Sequence, residues 1–446
     1  MRCWRTTLLR ARSWTKALEY ICKAAEKATQ AFAISAAFTL YGQALKVVDH
    51  LDEAAGVQAR MAIHQARANL YFTVGDFSEA WAEGERFLGV ARQVEDGANE
   101  GAALATIAQA AMWAEDFDSA LAHAGQAIEV ARTVGAQSAL ASGRMITGSI
   151  YSVTGRLSEA REELDQALTI GRSVGDTSLQ THTLFWTSTI ENWEGAYDKA
   201  VDLAAEGVRI ARTHNLVAQF LRCLYAQAIS LTGKGNYDQA LPLFEEGLAI
   251  AEKIGDEAYI PRYLNGLGWL YLECEAFDRS LDFSGQGSDM AQKMRRYPTG
   301  IEKVAFAEVN RGDAFLAQGD RPLAQEVLEG VHRMVKDSPT HDWMRWRYTT
   351  HLFVSLGEFW MARGEPRQAQ AFAAQCLEIA TRTSSWKYVV KGWRLHAEVK
   401  RPGMARQTYQ AAHEVIDGIK ADLRHPELRA GLDNSPLIQH IYDLSA

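Results

Sequence analysis

The chain has 446 residues, of which 47% are apolar and 23% charged, and its formal net charge is −8 at pH 7. These proportions exclude a disordered polyelectrolyte and a membrane-embedded bundle. The acidic balance argues against a nucleic-acid surface, which needs clustered Lys and Arg.

The first fourteen residues, MRCWRTTLLRARSW, carry four arginines and no acid. They lack the apolar core of a secretory signal, so an exposed lead-in is expected. Residues 1–55 read as this lead-in and an irregular first helix pair. From residue 56 a repeat takes over. Its turn column falls at Phe77, Phe117, Leu157, Tyr197, Tyr237 and Phe277, each 40 residues after the last. Small residues keep the same register at Ala80, Ala120, Ala160, Ala200, Ala240 and Ser280. A third column runs through Val90, Val130, Ile170, Ile210, Ile250 and Met290.

Each unit divides into two helices. In the third, Ile146, Ile150 and Val153 share one face at helical spacing, and Gly155-Arg156 ends that helix at a residue that tolerates positive φ. Leu157-Ser-Glu-Ala160 opens the second helix, which continues through Leu164, Ala167 and Ile170, and Gly175-Asp176 closes the unit. Two such helices cannot bury their apolar stripes alone, so neighbouring units must stack. The regular units occupy residues 56–296. After Met290 the spacing slips, with Gly319 following Glu275 by 44 residues and with Pro298, Pro322 and Pro339 in the stretch. Residues 297–420 are therefore expected to hold wider-spaced repeats beyond a joint, including a degenerate pair near Trp393–Ile416, with a capping tail over 421–446. Trp343, Trp346, Trp360, Trp386 and Trp393 load that part with apolar surface suited to core or end-capping.

Cys3, Cys22, Cys223, Cys274 and Cys376 are scattered, with no CxxC pair. They read as reduced thiols of a cytoplasmic protein. No apolar run approaches the length of a membrane span. The twelve histidines form no HExxH, and no phosphate-binding GxxxxGK[ST] occurs; Gly233-Lys234-Gly235 lies at a turn with the wrong spacing. Acidic pairs such as Glu162-Glu163 and Glu245-Glu246 recur on the polar face of second helices, which suits a solvated surface. No catalytic residue, cofactor site or metal site is assigned.

The repeat columns resemble those of tetratricopeptide repeats. The third unit supplies Gly148, Tyr151, Gly155, Leu157 and Ala160 at the motif positions; the first supplies Ala68, Tyr71, Gly75, Phe77 and Ala80. The fourth and fifth units keep the turn glycine but place Glu191 and Leu231 at the first aromatic position. The resemblance implies an all-α fold, a right-handed superhelical solenoid of antiparallel helix pairs. The 40-residue period exceeds the common 34 and resembles the long repeats of bacterial regulatory proteins. Residues 13–28 with 36–45 are similar to the junction where a large regulatory ATPase enters its repeats, and 423–429 with 434–441 resemble that family's closing segment. In that family an adenylate or guanylate cyclase domain, or a DNA-binding domain, precedes the ATPase. The chain is thus expected to be a detached repeat arm or a stand-alone relative.

In tetratricopeptide arrays the first helix of each pair lines a concave groove. Carrying the groove columns over by register gives Trp113 in unit two and His182, Phe185, Asn192 and Trp193 in unit four. It gives Arg222 and Tyr225 in unit five, and Arg262, Asn265 and Trp269 in unit six. Aromatics and Arg dominate binding hot spots, but aromatics at helical spacing equally suit inter-repeat packing, and the sequence leaves both readings open. Trp193 and Trp269 stand outside the packing columns. Arg222 and Arg262 occupy equivalent positions, where like charges repel unless Glu191, Glu273 or a ligand carboxylate answers them.

The expected function is that of a non-catalytic protein–protein interaction or sensor module in bacterial signal transduction, holding a peptide or protein segment in the groove. A regulatory ATPase or cyclase is the partner the resemblance suggests; nucleic acid and membrane are not expected. The alternatives are a small-molecule or peptide-signal sensor arm of a regulatory ATPase or transcription regulator, and a structural scaffold.

Overall fold

Every twenty residues from 75 to 275 the backbone passes through a left-handed residue. Gly75, Glu115, Gly155, Gly195, Gly235 and Glu275 end the first helices, while Glu95, Gly135, Gly175, Asn215 and Gly255 end the second. At each turn the following N–H donates to the carbonyl five residues back, as Asp76 does to Tyr71, Asp116 to Ala111 and Arg156 to Tyr151. This closure satisfies carbonyls that a helix end otherwise leaves bare. Where the next residue is Asp it also starts the following helix. Asp76, Asp96 and Asp116 accept from the backbone N–H groups of Glu79, Asn99 and Ser119.

A computed structural model describes residues 14–31, 33–293, 298–338 and 343–383, together with 417, 420–421, 426–433 and 439. The first thirteen residues, Pro339, Trp386, Trp393, the pair near Trp393–Ile416 and most of the proposed tail lie outside the described residues. The array begins with α1 (Trp14–Gln30), α2 (Ile34–Val48), α3 (Glu53–Val74), α4 (Phe77–Gln93), α5 (Gly97–Trp113) and α6 (Phe117–Val134). It continues with α7 (Gln137–Val153), α8 (Leu157–Val174), α9 (Thr177–Glu194), α10 (Tyr197–Thr213), α11 (Val217–Lys234) and α12 (Tyr237–Ile254). Then come α13 (Ile260–Glu273), α14 (Phe277–Lys293), α15 (Pro298–Ala317), α16 (Arg321–Asp337), α17 (Arg345–Ala362), α18 (Pro366–Arg382) and the short α19 (Pro426–Asp433). The fold is an all-α array of antiparallel helix pairs of tetratricopeptide type.

The chain forms two compact units, one of residues 1–150 with 166–179 and the other of 151–165 with 180–446. The division falls inside the third repeat, and the change of spacing after Met290 lies within the second unit. In the first unit, Ala17, Ile21, Tyr41 and Val47 of α1 and α2 pack with Ile63 and Leu70 of α3. Glu83 is buried there with hydrogen bonds from Arg67 and Arg86 and a 2.7 Å contact to His64. Burial pushes its carboxyl up, but the His64 and Arg67 hydrogen bonds prevail and hold it below the ordinary value.

The second unit is built on Phe220, Leu224, Tyr237, Phe244, Tyr263 and Leu267. Small residues set the spacing of its helices. Ala160, Ala200, Ala240 and Ser280 are fully buried, as are Ala211, Ala251 and Ala291. At Gly247 a Cβ would stand 2.1 Å from the Tyr263 ring, whose hydroxyl donates to the Leu221 carbonyl at 2.6 Å. Only glycine admits that ring against the helix.

Among the described residues, Cys22, Cys223, Cys274 and Cys376 are free thiols. Burial pushes Cys223 up to about 12, which makes it inert. No group of three His, Cys, Asp or Glu among those residues could hold a metal ion, and no helix is long and apolar enough to cross a membrane.

Candidate partner-binding site

Four side chains spaced by 40 residues form a ladder along the first helices of the second unit: His182 on α9, Arg222 on α11, Arg262 on α13 and Glu302 on α15. The ladder is joined at its two ends. Arg222 donates to Nε2 of His182, and Arg262 holds both carboxylate oxygens of Glu302, at 2.9 and 2.7 Å. Burial, then the charge of Arg222, lowers His182 to about 3, so its ring is neutral and accepts from the guanidinium. The Arg262–Glu302 pair is 17% and 3% exposed. The acid that answers Arg262 is thus Glu302, not Glu191 or Glu273. Glu191 pairs with Arg161 and Lys199, and Glu273 accepts from the Trp269 indole at 2.7 Å.

Aromatic rings lie beside the ladder. Tyr225 meets Phe244, Tyr259 and Tyr263 edge to face at 5.5–6.2 Å, and the Arg262 guanidinium lies 5.8 Å from the Tyr259 ring. Phe185 is partly buried and packs on Trp186. Asn265 accepts from Asn310 at 2.7 Å, and Asn192 donates to Ser230 at 3.2 Å. Trp193 is only 2% exposed. Its ring meets Trp346 edge to face at 5.3 Å, with the Arg347 guanidinium 5.4 Å away. Trp269 is partly buried. These nine residues belong to the second unit; Trp113 belongs to the first, where it is partly buried and stacks on Phe77 at 6.0 Å.

Sequence reasoning missed the contributions of α15 and α17. Besides Glu302 and Arg347, Phe306 packs on Tyr348, and His351 lies 3.3 Å from Asp313. Glu302 was within reach, because it stands one further 40-residue step beyond Arg262. The others follow the slipped spacing, so no column points to them.

Lys303, next to Glu302, is 3% exposed. Burial and then the Arg262 charge lower its amine to about 7, against the opposing pull of Glu302 and Asp256. The unfolded chain keeps the ordinary 10.5. Between about pH 7 and 10.5 the unfolded state therefore binds more protons, and stability rises with pH across that window, with the full penalty present below it. Lys303→Met is expected to add on the order of 1–3 kcal/mol at pH 7 and to flatten the rise between pH 7 and 9. Urea midpoints across that range check it, and a slope unchanged in the variant would contradict it.

No family model matches the chain, and no curated protein matches it. Among solved structures it is similar to a Rap protein complexed with competence and sporulation factor, at 13% identity over 86% of this chain and 98% of that one, with a TM-score of 0.51. It is also similar to aspartyl phosphate phosphatase F from Bacillus subtilis, at 12% identity over 81% and 94% with a TM-score of 0.47. The human IFIT1 dimer with m7Gppp-AAAA gives 11% identity over 96% and 90%, with a TM-score of 0.47. The likeness to the Rap protein is one of fold.

Proposed function

We propose that the chain is a non-catalytic recognition module whose second unit holds a peptide or protein segment along the His182–Arg222–Arg262–Glu302 ladder. The observation that carries this reading is the concentration of buried and partly buried charge and aromatic rings on consecutive first helices. A buried ion pair contributes little net stability compared with an apolar pair of the same volume, so stability alone gives no reason to keep one beside three tyrosines. Arg and Tyr are the side chains from which binding hot spots are made, and a guanidinium suits a carboxylate on the bound segment. The solved Rap protein holds competence and sporulation factor, a precedent for a fold of this type with a bound factor. The resemblance of the chain's ends to the repeat region of regulatory ATPases supports a place in bacterial signal transduction, with such an ATPase or a cyclase as partner. The dispersed free thiols suit the cytoplasm.

Selection from a displayed random-peptide library tests the site. Native protein is expected to enrich peptides sharing an acidic position. Arg222→Ala, with helicity unchanged, is expected to weaken the best of them by about tenfold or more, the loss of one charge-assisted contact. Glu162→Ala, on an exposed position of α8, should leave binding as it was. Enriched peptides that bind Arg222→Ala equally well would remove the ladder from the site.

A further inference from the structure

Away from the ladder, the second unit contains a half-open cleft of about 750 Å³, within the range of small-ligand pockets. Its walls come from the turn and first residues of α8 (154–159), the last turn of α16, the first half of α17 and the end of α18. The floor is apolar: Leu157, Val335, Trp346 and Phe353 are all buried. The wall is strongly basic. Arg156, Lys336, Arg345 and Arg382 line it, against a single carboxylate, Glu159, which already pairs with Arg156.

Helix ends account for part of this charge. Lys336 and Arg382 stand in the last turns of α16 and α18, where a cation suits the helix dipole, and Arg345 donates to the Val335 carbonyl at 3.0 Å. The dipole does not explain why both ends converge with Arg156 on one cleft in a chain of net charge −8. Among the described residues, neither Lys336 nor Arg382 forms an ion pair with a carboxylate. Arg156 stands where Asp76, Asp116 and Asp320 cap their own helices, a column that also holds Ala196, Asn236 and Ala276. Arg156 and Arg345 already have partners, so Lys336 and Arg382 are the two cations beside the apolar floor left to meet an anion.

We infer that this cleft binds a small organic anion, a molecule with an apolar body and one or two acidic groups. The body lies on Trp346, Phe353 and Leu157, and the acid meets Lys336, Arg382 and Arg156. The ligand then spans two parts of the unit far apart in sequence, the 154–159 turn and the α16–α18 helices. Burying Leu157 and Trp346 further, it raises the unfolding temperature.

Titration calorimetry with three probes tests the inference: acetyl-Phe-Glu for carboxylate, AMP for phosphate, and acetyl-Phe-Gln-amide as the uncharged analogue. At least one charged probe is expected to bind, one per chain, while the uncharged analogue does not; which one binds identifies the acid. Lys336→Glu/Arg382→Glu, both at exposed positions, should weaken binding by about tenfold or more. Glu159→Gln should tighten it by releasing Arg156. Arg222→Ala should leave it unchanged, so a failure here is distinct from a failure of the ladder. Neither charged probe binding at millimolar concentration, equal binding of the uncharged analogue, or indifference to the double charge reversal would overturn the inference.

Discussion

Glu302→Ala is expected to lower the stability of the second unit by about 3–5 kcal/mol, the cost of leaving a buried charge without its partner. Glu302 is the buried end of a two-bond contact with Arg262. Lys303 lies beside them with its own buried amine. Removing the carboxylate leaves Arg262, which stays charged, facing Lys303 without the group that offset their repulsion. Replacing both partners, Arg262→Met with Glu302→Met, is expected to stay within about 1 kcal/mol of the native protein, because two apolar side chains need no solvation. The double-mutant cycle from urea unfolding isolates the pair. A loss below about 1 kcal/mol for Glu302→Ala would mean that water reaches Arg262 once the acid is gone, and that the pair is not a desolvated one.

Trp346→Ala is expected to cost about 3–5 kcal/mol as well, through lost transfer energy and the cavity left behind. Trp346 is 5% exposed and is held on several sides. Its indole N–H donates to the Val153 carbonyl at 3.1 Å, its ring meets Trp193, and Gly155 lies so close that a Cβ there would come within 3.1 Å of the indole. The Met344 backbone N–H reaches the same Val153 carbonyl at 3.0 Å. Trp346→Phe keeps most of the ring contact and leaves that carbonyl a donor, so about 1–2 kcal/mol is expected. Hydrogen exchange at residues 155–157 should accelerate in the alanine variant and far less in the phenylalanine one. Equal acceleration in both would assign the closure to the indole hydrogen bond and not to packing.

The contrast between the two tryptophans is informative. Trp193 and Trp269 stood out in the sequence for the same reason, an aromatic outside the packing columns. Trp269 is partly buried with its indole N–H on Glu273, four residues along the same helix. Trp193 is interior, because α17 lays Trp346 and Arg347 against it from more than 150 residues away. A column read along a repeat carries information about adjacent repeats and none about an element that arrives from further along the chain. The basic cleft was illegible for the same reason. Arg156, Lys336, Arg345 and Arg382 belong to four helix ends with no common spacing, and each alone reads as an ordinary charged terminus.

The sequence by itself determined the local architecture: helix pairs of 40 residues, turns at the glycines that close them, and a column of small residues where the second helices pack. These features depend on side chains within one or two turns of helix and on immediate neighbours, so a repeating pattern specifies them each time it recurs. Only the tertiary structure decided that Trp193 is covered and that α17 closes on the Val153 turn. Those outcomes rest on contacts between residues distant in sequence, and the side chains that make them carry no local mark of their partners.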